Sequence, residues 1–362
     1  MTFTQKTWQE FVAHEKTSLQ PFLTKHNLVL TPEQPHISGE RFLMSGPKVV
    51  LLATNMQGVP YVIKTTENPE SKKEIEAERH TNTILKELPF AYKKILSPSE
   101  HIYTKEGKRI IIVTEFIKET TPFLTLSLKK QFDLILGAFT MLAGAHATTA
   151  SHQKITQYSF DVWDADAYKN AASRFVHNAG ICSDVSSTLL TTLKKAIRLF
   201  NSNPDTITRY CGFLTHNDFV PHNFRFSGDA IYLIDQSSLV FGNKHESWAR
   251  LMNYMNLHNP ALERALDTFV LKNYASEEYD SLRSMRIYKL IELLSYHCNA
   301  VKTSSGDIQT LSKARVCFWE AVLVSIFENS QLQEHIRTQY IAQRNNLRST
   351  AETARQKTLG QL

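Results

Sequence analysis

The chain has 362 residues, 42% of them hydrophobic, and a formal charge of +6. That length supports a globular protein with two lobes, and no repeat or low-complexity tract breaks it up. Basic residues are spread through every segment, as at Lys72-Lys73, Lys129-Lys130 and Lys194-Lys195, which describes a solvated surface and excludes an obvious nucleic-acid partner.

The opening MTFTQKTWQEFVAHEK lacks the uninterrupted apolar core of a signal peptide, so a cytoplasmic protein without a membrane anchor is expected. Residues 37–66 read as three short strands: ISGERFLMS, PKVVLLATN after Gly46, and PYVIKTT after an Asn-Met-Gln-Gly turn. Lys64 closes the apolar tripeptide Tyr61-Val62-Ile63 and so holds a fixed place on a sheet. Residues 71–88 form a charged helix with Ile75, Ile84, Leu85 and Leu88 available for one face. Glu78 shares a face with Ile75, with Glu74 and Glu76 as rivals. A strand lysine paired with a helix glutamate is the device that aims an ammonium at nucleotide phosphates.

Residues 101–114 read as a hairpin about a Lys105-Glu106-Gly107-Lys108 turn, giving five antiparallel strands with one helix inserted after the third. Glu115, Phe116 and Ile117 then lead into a mostly helical remainder. A two-lobed α+β architecture follows, with an N-terminal sheet lobe over residues 1–116 and a helical lobe over 117–362.

Residues 215–243, THNDFVPHNFRFSGDAIYLIDQSSLVFGN, carry the sharpest chemical signal. His216, Asp218 and Asn223 form an H-x-D-x-x-x-x-N pattern in loop-like sequence. The strand-like AIYLI then ends at Asp235, and a hairpin about Gly228-Asp229 would return Asp235 towards Asn223. One carboxylate to orient and deprotonate a hydroxyl, with a carboxamide and a second carboxylate for Mg²⁺, is what metal-assisted phosphoryl transfer requires. On a bland reading Asp218 is a turn residue, Asn223 a cap and Asp235 a strand end.

Helices are expected over 127–151, 166–179, 185–202, 246–257, 261–275, 278–301 and 311–330. The last fifteen or so residues have few large apolar groups and are expected to fray. The acidic and aromatic segment FDVWDADAY (160–168) and the cluster Glu277, Glu278 and Asp280 could receive a cationic group or simply dock on the fold. Cys182, Cys211, Cys298 and Cys317 lack C-x-x-C spacing and read as reduced core residues.

Over residues 35–255 the chain resembles the aminoglycoside phosphotransferase and choline kinase-like family, small-molecule kinases related in fold to protein kinases. The resemblance rests on YVIK (61–64), ERHTNTIL (78–85), VTEF (113–116), LAGAHA (142–147), THNDFVPHNF (215–224) and LIDQSSLVFG (233–242). It implies Asp218 as catalytic base and Asn223 and Asp235 as metal ligands. It implies Lys64 as the phosphate-binding lysine, Glu78 as its partner, and Glu115 to Ile117 as the adenine-binding hinge. His216 would be a scaffold residue with His146 packed beneath it, and Ser45 and Gly46 would form the phosphate cradle. The implied cofactors are ATP or GTP with Mg²⁺, and the implied partner is a small hydroxylated acceptor. Val220 stands where protein kinases carry a lysine, and Gln236-Ser237 where they carry Phe-Gly. The sequence also departs from the family: its first loop has a single glycine, and Ser247 replaces a structural Asp. A non-catalytic nucleotide-binding module, a protein Ser/Thr kinase and a helical interaction protein stay open as alternatives, as does the oligomeric state.

Overall fold

The computed structural model describes the chain except residues 1–3, 44–45, 88–95, 120, 150–159, 182–185, 203, 228–229 and 359–362. Helix α1 (Gln5–Lys25) begins with a reciprocal capping pair between Thr4 and Thr7. It is followed by β1 (Leu28–Leu30), β2 (Val49–Asn55), β3 (Pro60–Thr66), α2 (Pro69–Glu87), β4 (Glu100–Glu106) and β5 (Arg109–Glu115). The five strands form one antiparallel sheet in the order β1-β2-β3-β5-β4.

Both faces of this sheet are covered, which explains why β5 reads as an unbroken apolar run rather than an alternation. Ile111 and Val113 pack with Trp8, Leu19 and Phe22 of α1, while Ile110 and Ile112 pack with Ile75 of α2. The sheet therefore carries two helices, not the single one expected. The second helix, α1, presents the amphipathic stripe Trp8, Val12, Leu19 and Leu23, a spacing already visible in the sequence. Buried Glu15 of α1 pairs with buried Arg109, which also meets Glu67 at 2.8 Å.

The strand expected over 37–45 does not form over its described residues, 37–43. The edge of the sheet is supplied by β1, with Leu28 opposite Asn55. The Gln34 side chain imitates a strand beyond it, donating to the Leu52 carbonyl at 2.7 Å and accepting the Leu52 N–H at 2.8 Å. Gly39 has a left-handed φ of +63° and lies hard against Glu352, a conformation and a proximity that a β-strand residue with a side chain could not adopt.

The rest is chiefly helical: α3 (Leu128–Thr149), α4 (Ala165–Gly180), α5 (Ser187–Ser202) and α6 (Pro204–Thr208), then short strands β6 (Phe213–His216), β7 (Phe224–Ser227), β8 (Ala230–Leu233) and β9 (Leu239–Gly242). After these come α7 (Glu246–His258), α8 (Pro260–Asn273), α9 (Ser276–Thr303), α10 (Gly306–Phe327), α11 (Glu334–Leu347) and α12 (Thr350–Thr358). The α9 helix is buried around most of its circumference and forms the axis of the helical core with α4, α7 and α10.

The tail does not fray as expected over 350–358. Helix α12 buries Glu352 and Gln356, and Glu352 accepts the Glu40 N–H at 2.9 Å. Its anchorage is polar, so an apolar-content reading misses it. Cys298 is buried and Cys211 half-buried, but Cys317 is exposed rather than in the core. Cys182, Leu88 and the side chain of His146 lie outside the described residues. Among the described residues no helix is long and apolar enough to cross a membrane.

Candidate active site

The sheet fixes Lys64. It stands directly opposite Val50 on β2 and Ile112 on β5, so it shares the face that Ile112 presents to α2. Ile75 packs on that face, and Glu78, three residues further along α2, points the same way. Both carboxylate oxygens of Glu78 lie 2.6 Å from Lys64 Nζ, with both side chains nearly buried. Burial alone would lower the Lys64 pKa, but the Glu78 carboxylate raises it, so the lysine is charged. The rival glutamates are engaged elsewhere, Glu74 with Lys48 at 3.0 Å and Glu76 with Lys105 at 2.6 Å.

The loop after β6 is held by its apolar residues: Phe219 and Val220 are fully buried, leaving the Asp218 side chain partly exposed between them and His216. Buried Val220 cannot serve a substrate as an exposed lysine would. The β7–β8 hairpin closes as the sequence suggested, Phe224 opposite Leu233, with the Ile234 N–H donating to the Asn223 carbonyl at 3.0 Å. Asn223 and Asp235 are thereby brought to the same end of one hairpin. Asn223 Nδ2 donates to both the Asp218 carbonyl and Asp218 Oδ2, each at 2.8 Å. This turns the amide oxygen of Asn223 away from Asp218, and among the described residues no hydrogen bond to that oxygen is found.

His216 is fully buried and joins the two acidic segments. Its Nδ1 accepts the Asp218 N–H at 3.2 Å, which leaves Nε2–H to donate to the Asp235 carbonyl at 2.7 Å. Burial lowers its pKa, so the ring is neutral and this tautomer is fixed. The Asp235 carboxylate accepts the hydroxyls of Ser237 at 2.6 Å and Ser238 at 3.3 Å. Burial would raise its pKa, but the Ser237 hydrogen bond and the Lys64 charge hold it below the usual carboxylate range.

Two further residues complete the site. Ser247 occupies the place of the expected Asp, and its hydroxyl accepts the buried His216 N–H at 2.9 Å while lying 2.7 Å from Thr215 Oγ1. One hydroxyl thus anchors the strand that carries His216, and the loss of the carboxylate leaves no orphaned N–H there. Arg250, one turn along the same helix face, donates from Nε to Asp218 Oδ1 at 2.7 Å. Burial would raise the Asp218 pKa, but the Arg250 guanidinium holds it well below the usual range. The i,i+3 spacing of Ser247 and Arg250 is visible in the sequence; that Arg250 reaches Asp218 is not.

The hinge and the cradle fare differently. Glu115 ends β5, and its N–H is already taken by the Ser99 carbonyl at 2.8 Å, so it cannot also donate to a base. Ile117 is buried beyond it. Gly46 is exposed, with open space where a Cβ would project, and Ser45 lies outside the described residues.

No protein-family profile and no curated protein matches this chain. Solved structures do. The structure of aminoglycoside 2'-phosphotransferase-IIIa in complex with GDP aligns with a TM-score of 0.62 at 11% identity, over 86% of this chain and 98% of that one. Macrolide 2'-phosphotransferase MphH from Brachybacterium faecium aligns with a TM-score of 0.54 at 15% identity, over 83% and 97%. A thermostable mutant of aminoglycoside phosphotransferase APH(4)-Ia, in ternary complex with ADP and hygromycin B, aligns with a TM-score of 0.56 at 10% identity, over 85% and 97%. The fold is that of the aminoglycoside and macrolide phosphotransferases. At such identities the likeness speaks for the two-lobed kinase-like architecture and not for any substrate.

Proposed function

We propose that the protein transfers the γ-phosphoryl group of ATP to a hydroxyl of a small molecule. Residues 1–116 form the nucleotide lobe in this reading, and residues 117–362 the catalytic and acceptor lobe. GTP is the alternative nucleotide, in keeping with the GDP complex of one structural neighbour. The observation that carries the reading is the His216 imidazole. It ties the Asp218 backbone to that of Asp235 while Asn223 grips Asp218, so the two carboxylates and the carboxamide hold a fixed relation facing the charge of Lys64.

In this reading Lys64, steadied by Glu78, holds the α- and β-phosphates. The amide oxygen of Asn223 and the Asp235 carboxylate are hard oxygen donors of the kind Mg²⁺ takes, with phosphate oxygens and water completing its shell. Bound Mg²⁺ would supply neutralisation of charge on the phosphates. Asp218 orients the acceptor hydroxyl and takes its proton. The acceptor oxygen bonds to the γ-phosphorus as the bond to the β–γ bridging oxygen breaks, and that electron pair leaves with ADP. His216 and Ser247 act by position, keeping Asp218 in place.

The test is a thermal-shift titration with ATP and with GTP, each with and without Mg²⁺, on wild type, Asp235→Ala and Asp218→Asn. Stabilisation that requires both Mg²⁺ and Asp235 is expected, with Asp218→Asn retaining it but losing turnover by orders of magnitude. Undiminished turnover in Asp218→Asn would sink the mechanism. Absence of any nucleotide shift in wild type would favour a non-catalytic module on the same fold.

A further inference from the structure

Arg250, Tyr254 and His258 stand at four-residue intervals on α7 and form one stripe that starts at Asp218. Tyr254 stacks on His258 with ring centres 4.1 Å apart, and His222 of the catalytic loop meets Tyr254 edge-on at 6.0 Å. The α11 helix is fastened to α7 by Arg337, whose Nε donates to the Asn256 carbonyl at 2.7 Å. It brings buried Arg344, and Arg348 one turn later, close enough for their charges to act on Tyr254 and His258. Arg315 of α10 acts on both of those arginines and on His297 of α9.

Buried cations are ordinarily paired. Arg225, Arg250 and Arg355 have carboxylates within reach in Glu119, Asp218 and Glu352. No ion pair to Arg315, Arg344 or Arg348 is found among the described residues; Arg344 has the Asn345 amide oxygen, and the Glu352 carboxylate, already paired with Arg355, acts on Arg348 from farther away. Arg348 Nε and His297 Nδ1 are buried without a hydrogen-bond partner among the described residues, and His297 is only 8% exposed. Burial and the neighbouring guanidiniums hold His258 down at about 3. A fold that gathers unpartnered guanidiniums beside its catalytic loop carries a self-repulsion that an incoming oxyanion would relieve.

Half of the carboxylates in the two acidic clusters that could have received a polycation are already engaged. Asp164 caps α4, Glu277 pairs with Arg209, and Glu278 pairs with Lys244 at 2.7 Å.

We propose that the acceptor is a small hydroxylated oxyanion, a phosphate- or carboxylate-bearing molecule whose charge is held by Arg315, Arg344 and Arg348 while its hydroxyl faces Asp218. This rests on the phosphotransferase reading above. Guanidiniums suit it because their planar N–H forks match both phosphate and carboxylate geometry. The partial burial of the cluster favours a small molecule over a polyanionic chain.

The experiment is a thermal-shift titration in saturating ADP and Mg²⁺, so that the nucleotide phosphate site is already filled. Glucose 6-phosphate, gluconate and the hydroxylated polycation hygromycin B are compared on wild type, Arg315→Gln and Arg348→Gln. Stabilisation by either anion, with apparent affinity weakened roughly tenfold or more in each variant, is expected. Which anion acts distinguishes a phosphate from a carboxylate acceptor. Relief of repulsion should leave unliganded Arg315→Gln no less stable than wild type, and an unchanged ADP–Mg²⁺ shift would show that both variants fold. Anion shifts that survive both substitutions, or stabilisation by hygromycin B alone, would overturn the anionic acceptor. A normal ADP–Mg²⁺ shift with no anion shift in wild type would overturn it while leaving the phosphotransferase reading intact. No ADP–Mg²⁺ shift in wild type would overturn both.

Discussion

Arg250 Nε lies 2.7 Å from Asp218 Oδ1, so the carboxylate proposed as base is held by a cation on one oxygen and by Asn223 on the other. A carboxylate so placed stays ionised far into acid and is a weak proton acceptor. Its orienting role then matters most, as a loose phosphoryl-transfer transition state allows, because the hydroxyl gives up its proton late.

Replacing Arg250 with Gln should move the acid limb of the kcat/KM profile up, towards the ordinary Asp value of about 3.9. The sign follows from the partner lost: without the guanidinium, the ionised form of Asp218 is less favoured. A pH–rate profile of the variant with an unmoved acid limb would show that Asp218 is not the group titrating.

Ser247→Ala should cost about 1–3 kcal/mol, because it strands the buried His216 N–H that the hydroxyl accepts at 2.9 Å. Since His216 places both acidic segments, kcat should fall more than KM rises. Denaturation midpoints with steady-state kinetics check this. A stability loss with kcat unchanged would reduce Ser247 to a purely structural residue.

Glu15→Ala leaves buried Arg109 with only Glu67 as a carboxylate partner and should destabilise the protein by about 3 kcal/mol. Adding Arg109→Met should recover much of that loss, because the stranded charge rather than the missing pair is the main cost. Urea denaturation of the single and double variants decides it, and a double variant as unstable as the single one would refute this account.

Burial and nearby arginines hold three histidines down in the folded protein, His36 and His222 at about 4 and His258 at about 3. Below the unfolded value of about 6.5 the unfolded chain binds these protons and the folded one does not. Stability should therefore fall as pH drops from 6.5 towards 4, by up to about 1.4 kcal/mol per pH unit for each histidine. Melting temperatures at pH 7 and pH 5 test it, and His258→Gln should flatten the slope. A protein equally stable at both values would contradict the buried, neutral assignment.

Local rules reach a long way into this structure. The hairpin returning Asp235 to Asn223 follows from turn residues and a short apolar strand, and Lys64 and Glu78 follow from periods of two and of three to four. The failures share a cause. The strand expected over 37–45 was displaced by Gln34 bonding to Leu52, by Gly39 in a left-handed turn, and by Glu352 from the far end of the chain. The last helix has too little apolar content to announce itself, yet it is anchored by a carboxylate on the Glu40 N–H.

The sequence by itself determined the succession of a sheet lobe and a helical lobe, the small set of helix glutamates that could meet Lys64, and the residues that meet at the catalytic loop. Each of these is set by periodicity or by turns spanning a few residues. Tertiary structure alone decided which cations and anions face one another. Arg250 on Asp218, Ser247 under His216, and the unpartnered arginines of α10 and α11 come together from segments up to about a hundred residues apart. Coulombic and hydrogen-bond contacts over a few ångströms depend on packed position rather than on sequence spacing, so no pattern in the chain announces them.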